Sequence, residues 1–172
     1  MKNPNNIPIE TERKFLIHIP SFAYLEKQNN FSIKSIIQTY LQSDGKKNIR
    51  VRSIVENNNT KYVKTIKERI STLSCYEDEN VISYDEYTSL LLLADKEKRS
   101  IHKTRYSFEY CGHILEIDVY DFWNDRATLE IELKDENEDF SIPSFIKIIK
   151  EISADIRYKN TNLAKSVPFD EI

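Results

Sequence analysis

Charged side chains recur at alternate positions in most of the segments that have the pattern of β-strands. Side chains at i and i+2 of a strand point to the same face of a sheet, so each such pair predicts a strand with one charged face. Six pairs of this kind are present: Glu10 and Glu12, Arg50 and Arg52, Glu77 and Glu79, Lys103 and Arg105, Glu116 and Asp118, and Glu130 and Glu132. Apolar residues alternate with the last two pairs, as in Leu129, Ile131 and Leu133. The sequence therefore predicts a sheet with one apolar face and one charged face.

The alternation predicts eight strands joined by short turns. Their approximate ranges are 7–17, 35–41, 48–56, 60–67, 73–82, 100–110, 113–121 and 127–134. Helical spacing of apolar residues, or a capping residue before the segment, predicts three helices over 21–29, 84–97 and 143–155. The Asn run at 57–59 and Gly112 indicate hairpin turns, because both residue types tolerate a positive φ. We expect one α+β domain over residues 1–172.

The charged face has two interpretations. In an open antiparallel sheet it would be the solvated side. Eight strands of this length also tend to curl or close, and closure would put the charged face inside. The signs come in blocks, two carboxylates on one strand and two cations on another, which is unusual for a solvated face. We therefore favour a closed eight-stranded antiparallel β-barrel with helices packed outside it.

A closed barrel lined by both signs of charge requires a ligand, because unpaired buried charges are costly. A polyanion together with a divalent cation would satisfy both signs. Cationic side chains bind phosphate oxygens, and carboxylates bind a hard metal ion.

Composition excludes several classes of protein. The net charge of −3 argues against a general nucleic-acid-binding protein, which usually has a basic excess. No apolar run approaches the roughly 20 residues of a membrane span, and the start of the chain has no apolar core typical of a secretory signal. Cys75 and Cys111 do not have zinc-ligand spacing, and we interpret both as reduced. We expect a cytoplasmic monomer or homodimer that binds no nucleic-acid polymer and no membrane.

The first charged strand has a recognisable sequence. Residues 9–16, IETERKFL, resemble the ExExK signature of the CYTH domain, the family of triphosphate tunnel metalloenzymes. Further segments similar to the motifs of this family follow in order: Gln38-Thr39-Tyr40-Leu41, Arg50-x-Arg52, Thr65-Ile66-Lys67, Glu77-x-Glu79, Lys103-Thr104-Arg105-Tyr106, Glu116-Ile117-Asp118, Glu130-Ile131-Glu132 and the closing stretch Arg157 to Ala164. The resemblance covers about residues 7–165 and is greatest to the compact bacterial tripolyphosphatase-like members. It implies a triphosphate-containing small molecule as substrate and Mg²⁺ or Mn²⁺ as cofactor.

The resemblance also implies roles for individual residues. The cations expected to bind the triphosphate are Arg50, Arg52, Lys67, Lys103, Arg105 and Arg157. The carboxylates expected to hold the metal are Glu10, Glu12, Glu130 and Glu132, with Glu77, Glu79 and Asp118 lining the site or holding a second ion. Lys14 is expected to position or polarise the attacking water rather than act as a base. Tyr40 is either a hydrogen-bond donor in the tunnel wall or a core residue, whereas Tyr106 and Trp123 are interpreted as packing residues.

One position departs from the family pattern. The family usually has an Arg two residues before its central E-x-E pair, where this chain has Cys75. A thiol cannot replace a guanidinium as a bidentate phosphate donor. Either Arg69 or a neighbouring Lys compensates, or phosphate binding is weaker or altered.

The resemblance leaves three reactions or roles open. Hydrolysis of inorganic tripolyphosphate or of a nucleoside triphosphate is favoured, because it requires only bound phosphates, a metal ion and water. The first alternative is the conversion of ATP to cyclic AMP, as in the adenylyl cyclases of the family. The second is a catalytically weakened module that binds polyphosphate or a nucleotide.

Overall fold

Nine antiparallel strands dominate the computed structural model, which describes residues 7–172. Their bounds are β1 Ile9–His18, β2 Asn29–Tyr40, β3 Asn48–Glu56, β4 Asn59–Arg69, β5 Ser74–Ile82, β6 Ile101–Tyr110, β7 His113–Tyr120, β8 Arg126–Leu133 and β9 Ile148–Glu151. The helices are short: α1 Phe22–Leu25, α2 Tyr84–Leu91, a 3-10 turn Ile156–Tyr158 and α3 Asn160–Leu163. In the described part of the chain, none of these helices has the length and apolar character to cross a membrane.

The strands close into a barrel. Their order is β5-β4-β3-β2-β6-β7-β8-β1, and a further pairing between β1 and β5 joins the two ends. This closure involves only the start of β1, where Ile9 lies opposite Tyr76 and Thr11 lies opposite Ser74. Farther along, the same edge of β1 pairs with the ninth strand, β9. The predicted closed eight-stranded antiparallel barrel is confirmed, with β9 as an additional strand.

The predicted helix over 143–155 is wrong, because residues 148–151 form β9. The backbone N–H groups of His18 and Ile152 donate to the carbonyl oxygens of Lys147 and Lys14, at 3.0 and 2.8 Å. A helix over 143–155 would leave this edge of β1 without those partners, and unpaired buried backbone groups are costly. A bidentate ion pair between Arg13 and Glu151, 2.7 Å for each bond, also connects β1 to β9.

The other two predicted helices are shorter than expected. The helix predicted over 21–29 is the single turn α1, because β2 already begins at Asn29 and Asn30 has a φ of 52°. The helix predicted over 84–97 ends at Leu91. Its start is as expected, since the side chain of Ser83 accepts a hydrogen bond from the backbone of Glu86.

Two clusters of the apolar core lie outside the barrel wall, whereas a third, which includes Leu16, Tyr40 and Tyr120, lies on the inner face of the strands. The outward-facing residues of β1, β6, β7 and β8 pack beneath α1 and the segment around Ile146; this cluster contains Phe15, Ile17, Leu25, Phe108, Leu115, Ile117, Leu129, Ile131 and Ile146. A smaller cluster on another part of the wall contains Leu41, Val51 and Tyr87 of α2. Since alternate residues of a strand face opposite sides, burying these residues outside turns the charged residues between them toward the lumen.

Truncation of a core residue in β8 tests which face is buried. We expect Ile131→Ala to destabilise the fold by about 2–5 kcal/mol, because this fully buried side chain would leave a cavity. Urea unfolding measures the change. Ile114→Ala is the control, since Ile114 on the neighbouring strand β7 is 43% exposed. Equal losses in the two variants would contradict this description of the core.

Candidate functional site

A cavity of about 970 Å³ occupies the interior of the barrel. All eight barrel strands contribute to its lining, together with the β4–β5 turn and the segment from Ile152 to Thr161. Most of the charged side chains singled out in the sequence lie here: Glu10, Glu12, Lys14, Arg50, Arg52, Lys67, Glu77, Glu79, Arg105, Glu130 and Glu132. The charged face of the sheet is therefore the inner face of the barrel.

Three of the predicted site residues do not line the cavity. Lys103 and Asp118 form an ion pair of 2.5 Å with both side chains almost completely buried in the wall. Burial and the nearby charge of Arg105 lower the pKa of Lys103 to about 8. Arg157 is exposed and pairs with Asp155 at 2.6 Å and with Asp170 at 3.1 Å. The structure does not bring Arg157 to the lumen.

The strand register places carboxylates directly opposite one another. Glu12 on β1 faces Glu132 on β8, and Glu116 on β7 faces Glu130 on β8. Like charges in these positions repel. With Glu10, these residues form what we call the carboxylate cluster: Glu10, Glu12, Glu116, Glu130 and Glu132.

Three members of the carboxylate cluster hold their protons unusually tightly. Burial, followed by a hydrogen bond with Glu77, raises the pKa of Glu10, which pairs with Lys67; Glu12 and Glu132 are the other two. Burial, followed by the charge of Glu130, raises the pKa of Glu12 to about 7. Burial, followed by the charge of Glu116, also raises the pKa of Glu132. Among residues 7–172, neither Glu12 nor Glu132 has an ion-pair partner within 4.0 Å. The negative charge around Glu12 and Glu132 is therefore not fully balanced by nearby cations of the protein.

Glu130 differs from Glu12 and Glu132 because it has cationic partners. Its two oxygens lie 2.7 Å from Lys14 and 2.8 Å from Arg105. Burial opposes ionisation of Glu130, but these cations outweigh it and hold its pKa well below the usual range. Burial would likewise lower the pKa of Lys14, and the charge of Glu130 outweighs it and raises that pKa above the usual range. Lys14 and Glu130 are therefore a charged pair at neutral pH.

Cations crowd the wall formed by β3 and β4. Lys67 pairs with Glu77 at 2.6 Å and with Glu10, Arg50 approaches Glu77 at 3.5 Å, and Arg52 pairs with Glu79. The Nε groups of both arginines are buried without a hydrogen-bond partner in the described residues. Burial and the adjacent positive charge of Arg50 lower the pKa of Arg52 to about 10. This wall has unused donors and two guanidinium groups close enough to affect each other's charge.

Tyr40 and Cys75 both face the lumen. Tyr40 is buried, and its hydroxyl accepts a hydrogen bond of 3.1 Å from Gln38. Cys75 lies between Arg69 on β4 and Glu10 on β1, and its thiol donates to a Glu10 oxygen at 3.5 Å. Burial raises the pKa of Cys75 to about 11, so the group is a neutral thiol. Both cysteines are free, as expected.

Tyr106 and Trp123 are packing residues, as the sequence indicates. Trp123 contacts Tyr120 edge to face, and Tyr106 stacks on Phe31 outside the barrel.

Several lining residues escaped the sequence analysis. Lys34 lies on β2, opposite Arg105, but the strand predicted there began at residue 35. The hydroxyl of Ser153 accepts a 2.9 Å hydrogen bond from the backbone of Lys14, in a segment predicted to be helical. Lys159 was noticed only as part of the closing motif. A longer second strand would have included Lys34, because Lys34 is at an alternate position to Ile36 and Gln38 and therefore lies on the same face.

Comparison with known proteins identifies the family to which this barrel belongs. The family model of the CYTH domain matches residues 8–166. The chain belongs to the CYTH family. A curated CYTH relative, the inorganic triphosphatase of Acetivibrio thermocellus, is 33% identical over 158 residues, which cover 91% of this chain and 94% of the relative.

Solved structures share the tunnel fold of this CYTH protein. A crystal structure of an inorganic triphosphatase, NE1496, superposes with a TM-score of 0.58 at 27% identity, covering 92% of this chain and 96% of that one. A protein of Pyrococcus horikoshii, PH1819, also gives a TM-score of 0.58, at 19% identity over 74% of this chain and 80% of that one. At 19% identity, the similarity to PH1819 bears on the fold.

The raised pKa of Glu12 makes the stability of the metal-free CYTH protein depend on pH. Between its ordinary pKa of 4.5 and the folded value of about 7, the folded protein keeps a proton that the unfolded chain releases. Stability therefore falls as the pH rises through this window. We expect Glu12→Gln to raise the melting temperature by several degrees at about pH 8 and by much less at about pH 5.

Melting curves in buffer with a chelator measure this difference. Glu109→Gln is the matched control, because Glu109 is an exposed residue near the end of β6 and does not line the cavity. If Glu12→Gln raised the melting temperature equally at both pH values, the pH dependence of stability could not be assigned to the Glu12 carboxylate.

Proposed function

We propose that this CYTH protein is a metal-dependent triphosphatase that hydrolyses inorganic tripolyphosphate inside the barrel. The observation that carries the proposal is the division of one lumen into a cationic wall and a carboxylate cluster. A polyphosphate satisfies the first, and a divalent cation shared between carboxylate and phosphate oxygens satisfies the second. The relative from Acetivibrio thermocellus, which is named an inorganic triphosphatase, supports this reaction.

The phosphate chain would be bound by the cations that line the cavity, namely Arg50, Arg52, Lys67 and Arg105. Arg50 and Arg52 are closely spaced on one face of β3, and the charge of Arg50 lowers the pKa of Arg52. A bound polyanion would remove this repulsion and fill the unpaired Nε donors. Forked guanidinium groups suit this role, because they bind pairs of phosphate oxygens. Lys103 is assigned a structural role with Asp118, since neither lines the cavity.

The carboxylate cluster fits a hard divalent metal ion. Glu12 and Glu132 face each other, have raised pKa values and have no cationic partner within 4.0 Å among residues 7–172. We assign Mg²⁺ or Mn²⁺ to these two carboxylates, with Glu10 beside them. When bound, the ion would neutralise phosphate charge and make a coordinated water easier to deprotonate. Glu77 and Glu79 would pair with the cations of β3 and β4 and hold those side chains in position.

Lys14 would act as a cation throughout the reaction. Because its pKa is raised by Glu130, it has no tendency to accept a proton at neutral pH. It is therefore suited to donate hydrogen bonds to a water or to a phosphate oxygen, and not to serve as a general base. Glu130 holds Lys14 and Arg105 in place through its two oxygens.

The lining favours hydrolysis over cyclisation of ATP. In residues 7–172 the aromatic side chains of the lining are Tyr40 and Tyr158, which are 4% and 0% exposed. Neither offers a free ring face on which an adenine base could stack. A phosphate chain without a nucleoside needs no such face.

Phosphate release from tripolyphosphate, measured with Mg²⁺, with Mn²⁺ and with EDTA, tests the proposed function. We expect rapid release with one of the metals and none with EDTA. Formation of cyclic AMP from ATP in a parallel reaction would favour the cyclase instead. Binding of tripolyphosphate without any turnover would favour the binding module.

Glu132→Gln tests the assignment of the metal to the carboxylate cluster. The substitution keeps the shape of the side chain and removes a charge, so the rate at fixed metal concentration should fall by about 100-fold or more. A metal titration of the rate should show a weaker apparent affinity. Glu109→Gln is the control, since this exposed residue near the end of β6 does not line the cavity. If the metal titration of Glu132→Gln were the same as that of the wild type, the metal would have to be assigned to other residues.

Four expectations about the setting of this activity stay predictions from the sequence: the cytoplasmic location, the monomeric or homodimeric state, the absence of a nucleic-acid polymer as partner, and the extension of one domain over residues 1–172. Residues 1–6 lie outside the described part of the chain.

A further inference from the structure

One end of the lumen, next to the β4–β5 turn, contains two cations that have no ion-pair partner. Arg69 is the last residue of β4, and Lys159 lies between the 3-10 turn and α3; both line the cavity. Within residues 7–172 neither has a carboxylate within 4.0 Å. In contrast, every cation assigned above to the phosphate chain has at least one carboxylate partner. We call this pair of residues the end pair.

Arg69 extends the cationic wall by one step along β4. It lies two residues beyond Lys67 and therefore on the same face, roughly 7 Å farther toward the end of the strand. Its Nη1 group donates to the backbone oxygens of Ser71 and Thr72, at 2.8 and 2.7 Å, which hold the guanidinium against the turn. Its Nε and Nη2 groups form no hydrogen bond with any residue in the range 7–172. Arg69 is thus a positioned cation with free donors.

Lys159 is held in place by its two neighbours in the sequence. Tyr158 is completely buried, and its hydroxyl donates to Asp170 at 2.9 Å. The side-chain oxygen of Asn160 accepts a 2.8 Å hydrogen bond from Tyr120. Partial burial and then the positive charge of Arg69 lower the pKa of Lys159. The two members of the end pair are therefore close enough to repel each other.

The end pair flanks the lumen position at which a cation is missing. Cys75 is the direct neighbour of Arg69 across the β4–β5 ladder, and its side chain is buried and neutral. A thiol at this position cannot neutralise phosphate charge. Arg69 and Lys159 supply two positive charges beside it, and their mutual repulsion disappears when an anion binds between them.

We propose that Arg69 and Lys159 form a subsite for the outer phosphate group of tripolyphosphate, beyond the phosphates bound by Lys67 and the β3 arginines. The subsite rests on the proposed function for its substrate, since it is one end of the same chain of phosphates. It makes the two residues determinants of affinity rather than of the chemical step. Both residues are partly or largely exposed, so the contribution of the subsite should weaken as salt increases.

Arg69→Gln and Lys159→Gln test the subsite through binding in metal-free buffer. Isothermal calorimetry should show tripolyphosphate binding weakened about tenfold by each substitution, the loss of one charge-assisted hydrogen bond. Arg69→Lys should keep most of the affinity. Lys64→Gln, on the outer face of the same strand, is the matched control and should bind like the wild type. Melting temperatures of all variants without ligand should be similar, because neither residue supports the core.

Kinetics separate this inference from the proposed function. If the wild type hydrolyses tripolyphosphate, the two Gln variants should raise KM about tenfold and change kcat little, as for uniform binding. Wild-type affinity in both variants would overturn the subsite whether or not the enzyme is active. A loss of affinity accompanied by a lower melting temperature and a lower kcat would overturn it as well, since that result indicates a structural role. A wild type that binds but does not hydrolyse would refute the proposed function and leave the binding comparison decisive for the subsite.

Discussion

The structure depends on pairing between opposite charges that face the inside of a closed barrel. Lys14 with Glu130, Arg105 with Asp118, and Lys67 with Glu77 connect neighbouring strands on the inner side of the barrel wall. Such pairs recover the cost of removing charges from water only when their geometry is good, and a charge left without a partner is expensive. The pairing is incomplete here: carboxylates face each other between β1 and β8, and arginines crowd β3. A ligand that carries phosphate groups and a divalent cation would remove both imbalances, so the features that cost stability are those that suit the site to function.

The same pairing explains why much of the core is outside the barrel. The part of the lumen that is lined by charges cannot also hold apolar side chains, so many of these pack on the outer surface under α1, α2 and the segment before β9. The inner-face cluster around Leu16 and Tyr120 occupies positions on the strands beyond the charged ones. The period of two along each strand links the two faces. A slip of one residue in any strand would exchange its charged and apolar sides. Register, core and site are therefore specified by one pattern.

This pattern is why much of the site could be predicted from the sequence. Alternation identified the eight barrel strands and assigned Glu12, Arg50 and Glu130 to a common face. It could not give depth along the tunnel, and for that reason Lys103 was expected in the lumen although it is buried in the wall with Asp118. Contacts between segments that are distant in the sequence could not be predicted either. Residues 143–155 have helical spacing, but residues 148–151 form a strand because they pair with the free edge of β1. Arg157 forms an ion pair with Asp170, which is near the end of the chain.

The central claim is that the barrel interior is an anion and metal site whose charges are unbalanced without ligand. Thermal unfolding of the wild type with and without millimolar tripolyphosphate tests it most directly, with equal ionic strength of sodium chloride as the reference. The account predicts a melting temperature that rises with tripolyphosphate concentration, and rises further when Mg²⁺ or Mn²⁺ is added, through the linkage between binding and folding. A melting temperature that stays the same at saturating tripolyphosphate, with and without metal, would contradict it.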